Sequence, residues 1–467
     1  LVHEGAPTPH FDVVCALLSL PHLLGPQLPG TDALNIPQTI PYLALDHVRS
    51  AGWESHFAHS GLRVGLVWAG NPSHKNDANR SVDFAALAPL WGLEGVHFYS
   101  FQVGARSADL DSLTPEQRAK VTDMAPLLQN FGDTAAALVH VDLLVCVDTS
   151  ICHVAGALGI PVWLLIPWMP DWRWLLHRED SPWYPSLRIL RQPAYRDWDS
   201  VLHTLGKDLK ELAHPQSAGG KRRQQAAHAL VEQGRVLLER NEPALARPAF
   251  WQALRECPTH ARAASALAIA AFRAGDTHAA LMLGARACRQ SPNDPENWSN
   301  TGAYLKAVGD LPATLACFER GIAVRPDYAG LIYNRGLARL LAGDLPGGFA
   351  DYERRFDVPD FPSKRLQTPK PLWQGQPLPD QTLLIHAEQG LGDTLQFLRY
   401  IALLPKPIKR VLLLIQESLT SLPVLPAHVE LVHEGAPTPH FDVVCPLLSL
   451  PHLLGPQLPG TDALNIP

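Results

Sequence analysis

The chain has 467 residues, 46% of them hydrophobic and 18% charged, with a formal net charge of −6. That length allows two to four domains with sizeable cores, the charge gives no support to a nucleic-acid partner, and no apolar run reaches the ~18 residues that a membrane span needs. The seven cysteines carry neither a CxxC pair nor a metal-ligand spacing, so they read as reduced thiols of a cytoplasmic protein.

The first element in chain order is a repeated text. Residues 1–37 recur as 431–467 with one difference, Ala16 against Pro446. A duplicated domain would carry a whole folding unit, and this stretch is shorter than one. Two readings fit. One is a circularly permuted order, in which 467 reads on into 38 and the natural start falls near Lys221. The other is a piece of a tandem array. Each copy carries a strand-forming run at 11–15 or 441–445, and one sheet has one place for it. We expect 431–467 to take that place, being contiguous with 382–430. Residues 1–37 are then displaced, or enter another molecule's sheet as a strand-swapped oligomer.

Residues 38–213 alternate apolar runs with helical patterns. Runs at 62–69, 96–101, 142–147 and 161–166 read as strands, with a late one at 187–190. Helices are expected at 82–90, after 150 and at 199–212. Such alternation implies a parallel sheet. The first strand opens into Gly70 and Asn71, and its loop also carries His74, Lys75, Asn79 and Arg80. Cations at a strand's carboxyl end can neutralise a leaving diphosphate without a metal, and Lys75 or Arg80 suits that role. A solvated loop is the plain alternative. Gln102 and Gly104 end the next strand at the same edge. Asp148, Thr149 and Ser150 stand where a strand turns into a helix, so free N–H groups and the helix dipole favour an anion there. His153, in the first turn, leans back toward the same point. The alternative is a buried helix capped by Asp148 or Thr149. The tryptophans between 168 and 183 read as packing, with at most one ring stacked on a sugar or base.

Between 221 and 360 the text repeats every 34 residues. Pro258, Pro292 and Pro326 keep that spacing, as do Gly275, Gly309 and Gly343, each followed by Asp. So do Gly234, Ala268, Gly302 and Gly336, while Phe250, Phe318 and Tyr352 share a further register. The pattern resembles the tetratricopeptide repeat, a helix–turn–helix unit in which small residues let helices approach and Gly-Asp marks the turn. Three good repeats (259–292, 293–326 and 327 to about 357) follow a weaker one at 225–258. Such stacks bind peptide or act as spacers.

From 370 to 467, strands are expected at 382–389, 410–416, 428–433 and 441–445. Gly390 and Gly392 permit a tight turn after the first, and Asp393 opens a helix placed at 394–404. The third position of a dinucleotide fingerprint is Leu395, which argues against a nicotinamide enzyme.

These residues together resemble a family. The run from Gly390 to Tyr400 is similar to the opening loop of the heptosyltransferase-like glycosyltransferases of family 9. The run from Val145 to Trp163 resembles that family's Asp-Ser/Thr…His signature, and the run from Leu66 to Ser81 its phosphate-side loop. The resemblance implies an α/β plus all-α chain: a GT-B pair of Rossmann-like domains, with the repeat between the two halves in sequence. The acceptor half would be 370–467, the donor half 38–213, the repeats 221–360, and 1–37 a partial copy of the acceptor half. It implies a nucleotide-diphosphate sugar as donor substrate, no metal and no other cofactor. A protein or glycan acceptor would be bound with help from the repeats. Asp393 becomes the general base for the acceptor hydroxyl. Gly390, Gly392, Gly70, Asn71, Lys75, Arg80, Gln102, Asp148, Thr149, Ser150 and His153 become the donor-binding set. An inverting transferase is one reading. A repeat scaffold with a degenerate transferase-like domain is the other, and the presence of Asp393, Asp148 and His153 favours the first.

Overall fold

The computed structural model describes residues 13–24, 40–43, 45, 47–359, 361–421 and 425–455. The chain divides into two compact units, Leu1–Ala279 and Ala280–Pro467.

The first unit is built on a parallel sheet. Its strands are β1 (Leu62–Val67), β2 (Val96–Ser100), β3 (Val121–Asp123), β4 (Leu143–Val147), β5 (Val162–Ile166) and β6 (Leu187–Arg191), in the order β3-β2-β1-β4-β5-β6. Strands β2, β4 and β5 are buried along their whole length. That is why they read as continuous apolar runs rather than as alternation. The chain builds outward through β1, β2 and β3, then returns to lay β4 beside β1, with Val67 opposite Cys146. The loops that leave β1 and β4 are therefore neighbours. Several elements escaped the sequence reading, among them the following two. Strand β3 is only three residues long, and the helix Phe131–Leu138 follows a run of short turns. The helix expected at 82–90 is a 3-10 helix, Phe84–Gly92, capped by Asp83 and interrupted by Pro89, which cannot donate to an α-helical ladder.

The closing helix Trp198–Ala213 runs on into the first repeat, Ala218–Glu239 and Pro243–Glu256. Asp208 joins the two parts. It accepts from Arg188 of β6 at 2.6 Å and from Arg223 of the repeat at 2.7 Å, and all three side chains are largely shielded from solvent.

The repeat positions explain themselves in space. Gly275, Gly309 and Gly343 have φ of +82°, +83° and +88°, a region that costs glycine nothing. The following Asp276, Asp310 and Asp344 each accept a backbone N–H three residues on, capping the second helix of the pair. A Cβ added at Gly234 would lie 2.4 Å from Phe250, and one at Gly302 would lie 2.4 Å from Phe318. The ring of one helix fills the notch left by glycine on its partner.

The second unit carries the helices Pro295–Ala307, Leu311–Val324, Ala329–Ala342 and Leu345–Tyr352, then a second parallel sheet. Its strands are β7 (Leu378–His386), β8 (Ile408–Ile415), β9 (Val429–His433) and β10 (Val443–Pro446), in the order β10-β7-β8-β9. One face buries Leu383, Ile385, Val411, Leu413, Val443 and Cys445 with Tyr352, Trp373 and Phe397. Tyr352 belongs to the last repeat, so repeat and sheet share one core.

The repeated text meets two fates. In the second copy, Val443 and Val444 are 4% and 3% exposed and pair with β7. In the first copy, Val13 and Val14 are 86% and 84% exposed, and residues 13–16 form no strand. Residues 1–12, 25–37 and 456–467 of the two copies lie outside the described residues. Among the described residues no helix is long and apolar enough to cross a membrane.

Candidate functional site

The candidate site of the first unit lies where the strand order turns. In doubly wound sheets ligands bind outside the carboxyl ends of the strands at this crevice. Here it lies between β1 and β4 and is lined by Trp68 to Arg80 on one side and Asp148 to His153 on the other.

The β1 loop is pinned from beneath. Gln102 is 3% exposed, and its side-chain oxygen accepts from the backbone N–H groups of Trp68 at 3.2 Å and Ala69 at 2.9 Å. Gln102, expected to line the donor site, has its side-chain oxygen engaged by this backbone. Gly70 follows. A Cβ there would meet Asp77 Oδ1 at 2.5 Å and Arg80 Nη2 at 2.6 Å, so the missing side chain is what lets Arg80 lie over the loop. Arg80 pairs with Asp77 at 3.4 Å and donates from Nη1 to the backbone oxygen of Asp148 at 2.9 Å. The loops that leave β1 and β4 are thereby tied together. Asn71 turns inward on its own loop, accepting from Ser73 at 3.0 Å, and Lys75 is exposed.

The helix after β4 is Ser150–Ala157, and Thr149 stands at its cap position without a side-chain cap bond. The Thr149 hydroxyl bonds back to Val147 at 3.4 Å instead. The first N–H groups of this helix are left without a side-chain acceptor, and neither Asp148 nor Thr149 caps them as the alternative reading required. Ser150 is exposed beside them.

His153 is held on three sides. Its Nδ1 shares a hydrogen bond of 3.0 Å with the Tyr184 hydroxyl, Trp174 stacks on it at 5.4 Å, and Cys152 lies next to it. Burial alone would lower the imidazole. The hydrogen bond and charge of Cys152 and the carboxylate of Asp148 outweigh burial and raise it above its ordinary value. For Cys152, burial pushes the thiol up, while hydrogen bonds with Cys146 and His153 pull it down to about 6. Asp148, Cys152 and His153 bring one ligand atom each within 4.8 Å of one another, the one such group found among the described residues. Cys152 and Tyr184, neither singled out from the sequence, both touch His153. Trp174 is one of the tryptophans read as packing and is fully buried, with His153 as its neighbour.

The second unit carries the other expected residues. Gly390 caps the helix Leu391–Phe397, shorter than the 394–404 placed from sequence. Asp393 is not the cap but the third helical residue, and its carboxylate accepts from the Gly390 N–H at 3.1 Å. A Cβ at Gly392 would meet nothing within 4 Å.

Residues 81–165 match the model of glycosyltransferase family 9 (heptosyltransferase), and residues 231–295 match the tetratricopeptide repeat. The chain therefore carries a segment similar to glycosyltransferase family 9 and a segment similar to the tetratricopeptide repeat. The family 9 match takes in Gln102, Asp148, Thr149, Ser150 and His153. Arg80 lies one residue before it. A curated relative, protein FlbA of Caulobacter vibrioides, is 25% identical over 201 residues, which is 35% of this chain and 34% of that protein. The chain thus spans about a third of that relative's length. Solved structures similar to parts of this chain include a Thermobaculum terrenum O-GlcNAc transferase mutant. It is 20% identical with a TM-score of 0.28, covering 42% of this chain and 38% of that one. Another is a thermophilic repeat protein from Thermus thermophilus, 23% identical with a TM-score of 0.27, covering 29% and 75%.

Proposed function

We propose that the protein transfers a sugar from a nucleotide-diphosphate donor to a protein or glycan acceptor, and that the crevice between β1 and β4 binds the donor's diphosphate. The observation that carries this is the uncapped start of the helix Ser150–Ala157, with Arg80 on one side and His153 on the other. Backbone N–H groups, a guanidinium and an imidazole drawn toward its charged form are all complementary to a leaving diphosphate. In this reading they do the work that a metal ion does elsewhere, and the reaction is inverting. The sheet of β7 to β10 is the acceptor half of a GT-B enzyme, Asp393 is its general base, and the repeats recruit the acceptor.

The test is nucleotide binding followed by transfer. UDP, GDP or ADP should raise the melting temperature of the full chain, and Arg80→Ala should abolish that rise. Asp393→Ala should remove transfer while leaving the nucleotide shift intact. If none of the three nucleotides moves the melting temperature, the donor-site reading fails. If transfer survives in Asp393→Ala, the base is elsewhere.

A further inference from the structure

The second unit contains a buried ionic cluster that a sheet and a helical repeat do not need in order to pack. Arg355 lies in the 3-10 turn Glu353–Asp357 that ends the last repeat, and its side chain is fully buried. Its Nη2 bonds both carboxylate oxygens of Glu388, at 2.8 and 3.0 Å, and the Ser449 hydroxyl at 2.9 Å. Its Nη1 bonds Glu353 at 2.9 Å and the Tyr352 carbonyl at 3.2 Å. Ser449 in turn donates to Glu353 at 2.9 Å. The rings of Phe356 and Tyr352 cover the guanidinium at 4.5 and 5.0 Å. The Glu388 side chain is also wholly buried. Burial pushes its carboxyl above the ordinary range, against the pull of Arg355. Burial likewise lowers the neighbouring His386.

Burying such a pair costs several kcal/mol of solvation per ion, and apolar side chains of equal size often give equal or greater stability. Stability therefore does not account for its place here. Position does. Glu388 stands two residues past the end of β7 and two before Gly390. The hydrogen bonds continue from it into the loop. Gln389 donates to the Tyr352 hydroxyl at 2.6 Å, and Gln416, just past β8, donates to the Gln389 carbonyl at 2.9 Å. Thr394 donates to Gln416 at 3.0 Å, and its N–H donates to the Gly390 carbonyl at 3.1 Å. Gly390 is the residue that Asp393 grips. Leu391 and Gly392, the remaining residues of the turn, are exposed.

We propose that Arg355, Tyr352, Gln389 and Gln416 are positioning residues for the Gly390–Asp393 loop, so that the last repeat helps to aim the group proposed as the base. This rests on the reading of Asp393 given above. It makes the final repeat a part of the transferase machinery rather than a tether, because whatever shifts Tyr352 and Arg355 also shifts the strand-to-loop junction at Glu388.

The test uses the full chain with Tyr352→Phe and Gln416→Ala, two mild changes, alongside Arg355→Met, which removes the charge and leaves Glu388 unpaired. Hydrogen exchange is read over 388–397 and, as a control, over 295–342. Release of nucleoside diphosphate is read with UDP-, GDP- and ADP-hexoses as probes. The mild variants should exchange at least ten-fold faster at 388–397 with unchanged protection at 295–342. Their kcat should fall ten-fold or more at a KM within two-fold of the parent. Exchange at 388–397 equal to the parent's would overturn the proposal, as would faster exchange with kcat unchanged. If the parent releases nucleotide from none of the probes, the transferase reading is what fails, and the exchange result alone still decides whether the repeat holds the loop.

Discussion

The Arg80 guanidinium donates to the backbone oxygen of Asp148 at 2.9 Å and so clasps the loop after β1 to the loop after β4. Both loops leave adjacent parallel strands, and the bond fixes the mouth of the crevice between them. Arg80→Lys keeps the charge but loses the fork that serves Asp77 and Asp148 together. A charge-assisted hydrogen bond is worth ~1.5–3 kcal/mol, so the melting temperature of the free chain should fall and, with the mouth of the crevice no longer fixed, nucleoside-diphosphate affinity should fall roughly ten-fold or more, measured by calorimetry.

His153 gives the crevice a pH signature. Its folded-state value is raised above 6.5, first against burial and then through Cys152 and Asp148. The imidazolium is present below that raised value and is lost as pH rises through it. Nucleoside-diphosphate affinity should follow, strongest on the acid side and weakening upward. The stability contributed by His153 has the same sign, full below 6.5 and lost above. In His153→Gln the fall in affinity with rising pH should become shallower. A titration of dissociation constant against pH for both proteins checks it.

His97 works in the opposite sense. It stacks on His59 at 3.6 Å, shares a 2.8 Å hydrogen bond with Thr122, and is lowered to about 4, chiefly by burial. The unfolded chain binds a proton from 6.5 downward that the folded chain refuses until about 4, so stability should fall as pH drops through that window. Burial also lowers His260 and His386, which add to the slope. His97→Gln should make the decline in melting temperature between pH 6.5 and 4 shallower without abolishing it.

The twin segments permit a paired experiment. Leu450 is fully buried and Leu20, its counterpart, is 37% exposed. Leu450→Ala should cost about 2–5 kcal/mol, whereas Leu20→Ala should stay within about 0.5 kcal/mol. Removal of residues 1–37 should leave the melting temperature nearly unchanged. A large loss in that deletion would mean that the first copy is seated in some sheet, its own or a second molecule's, and the sedimentation of parent and deletion would tell which.

Much of the architecture could be read from the text. The 34-residue spacing survives because each Gly-Asp turn and each glycine notch serves one local unit, repeated. The strands β4 and β5 announce themselves because burial on both faces leaves only apolar residues, and β7 and β8 through the buried apolar runs at their carboxyl ends. Asp148, Ser150 and His153 could be placed beside one another from the text because strand, turn and helix start are contiguous in the chain.

What sequence could not supply was everything that depends on distant partners. The side chain of Gln102 is engaged by backbone 33 and 34 residues away, and Arg355 finds Glu388 33 residues on and Ser449 94 residues on. Composition does not encode such pairings, because a buried charge or amide is stabilised by whichever group the fold brings to it. The two copies make the point most plainly. Val14 and Val444 stand in the same local text, yet one is in water and the other in a sheet. Local sequence set what each copy could form, and the strand β7 beside the second copy decided which one did.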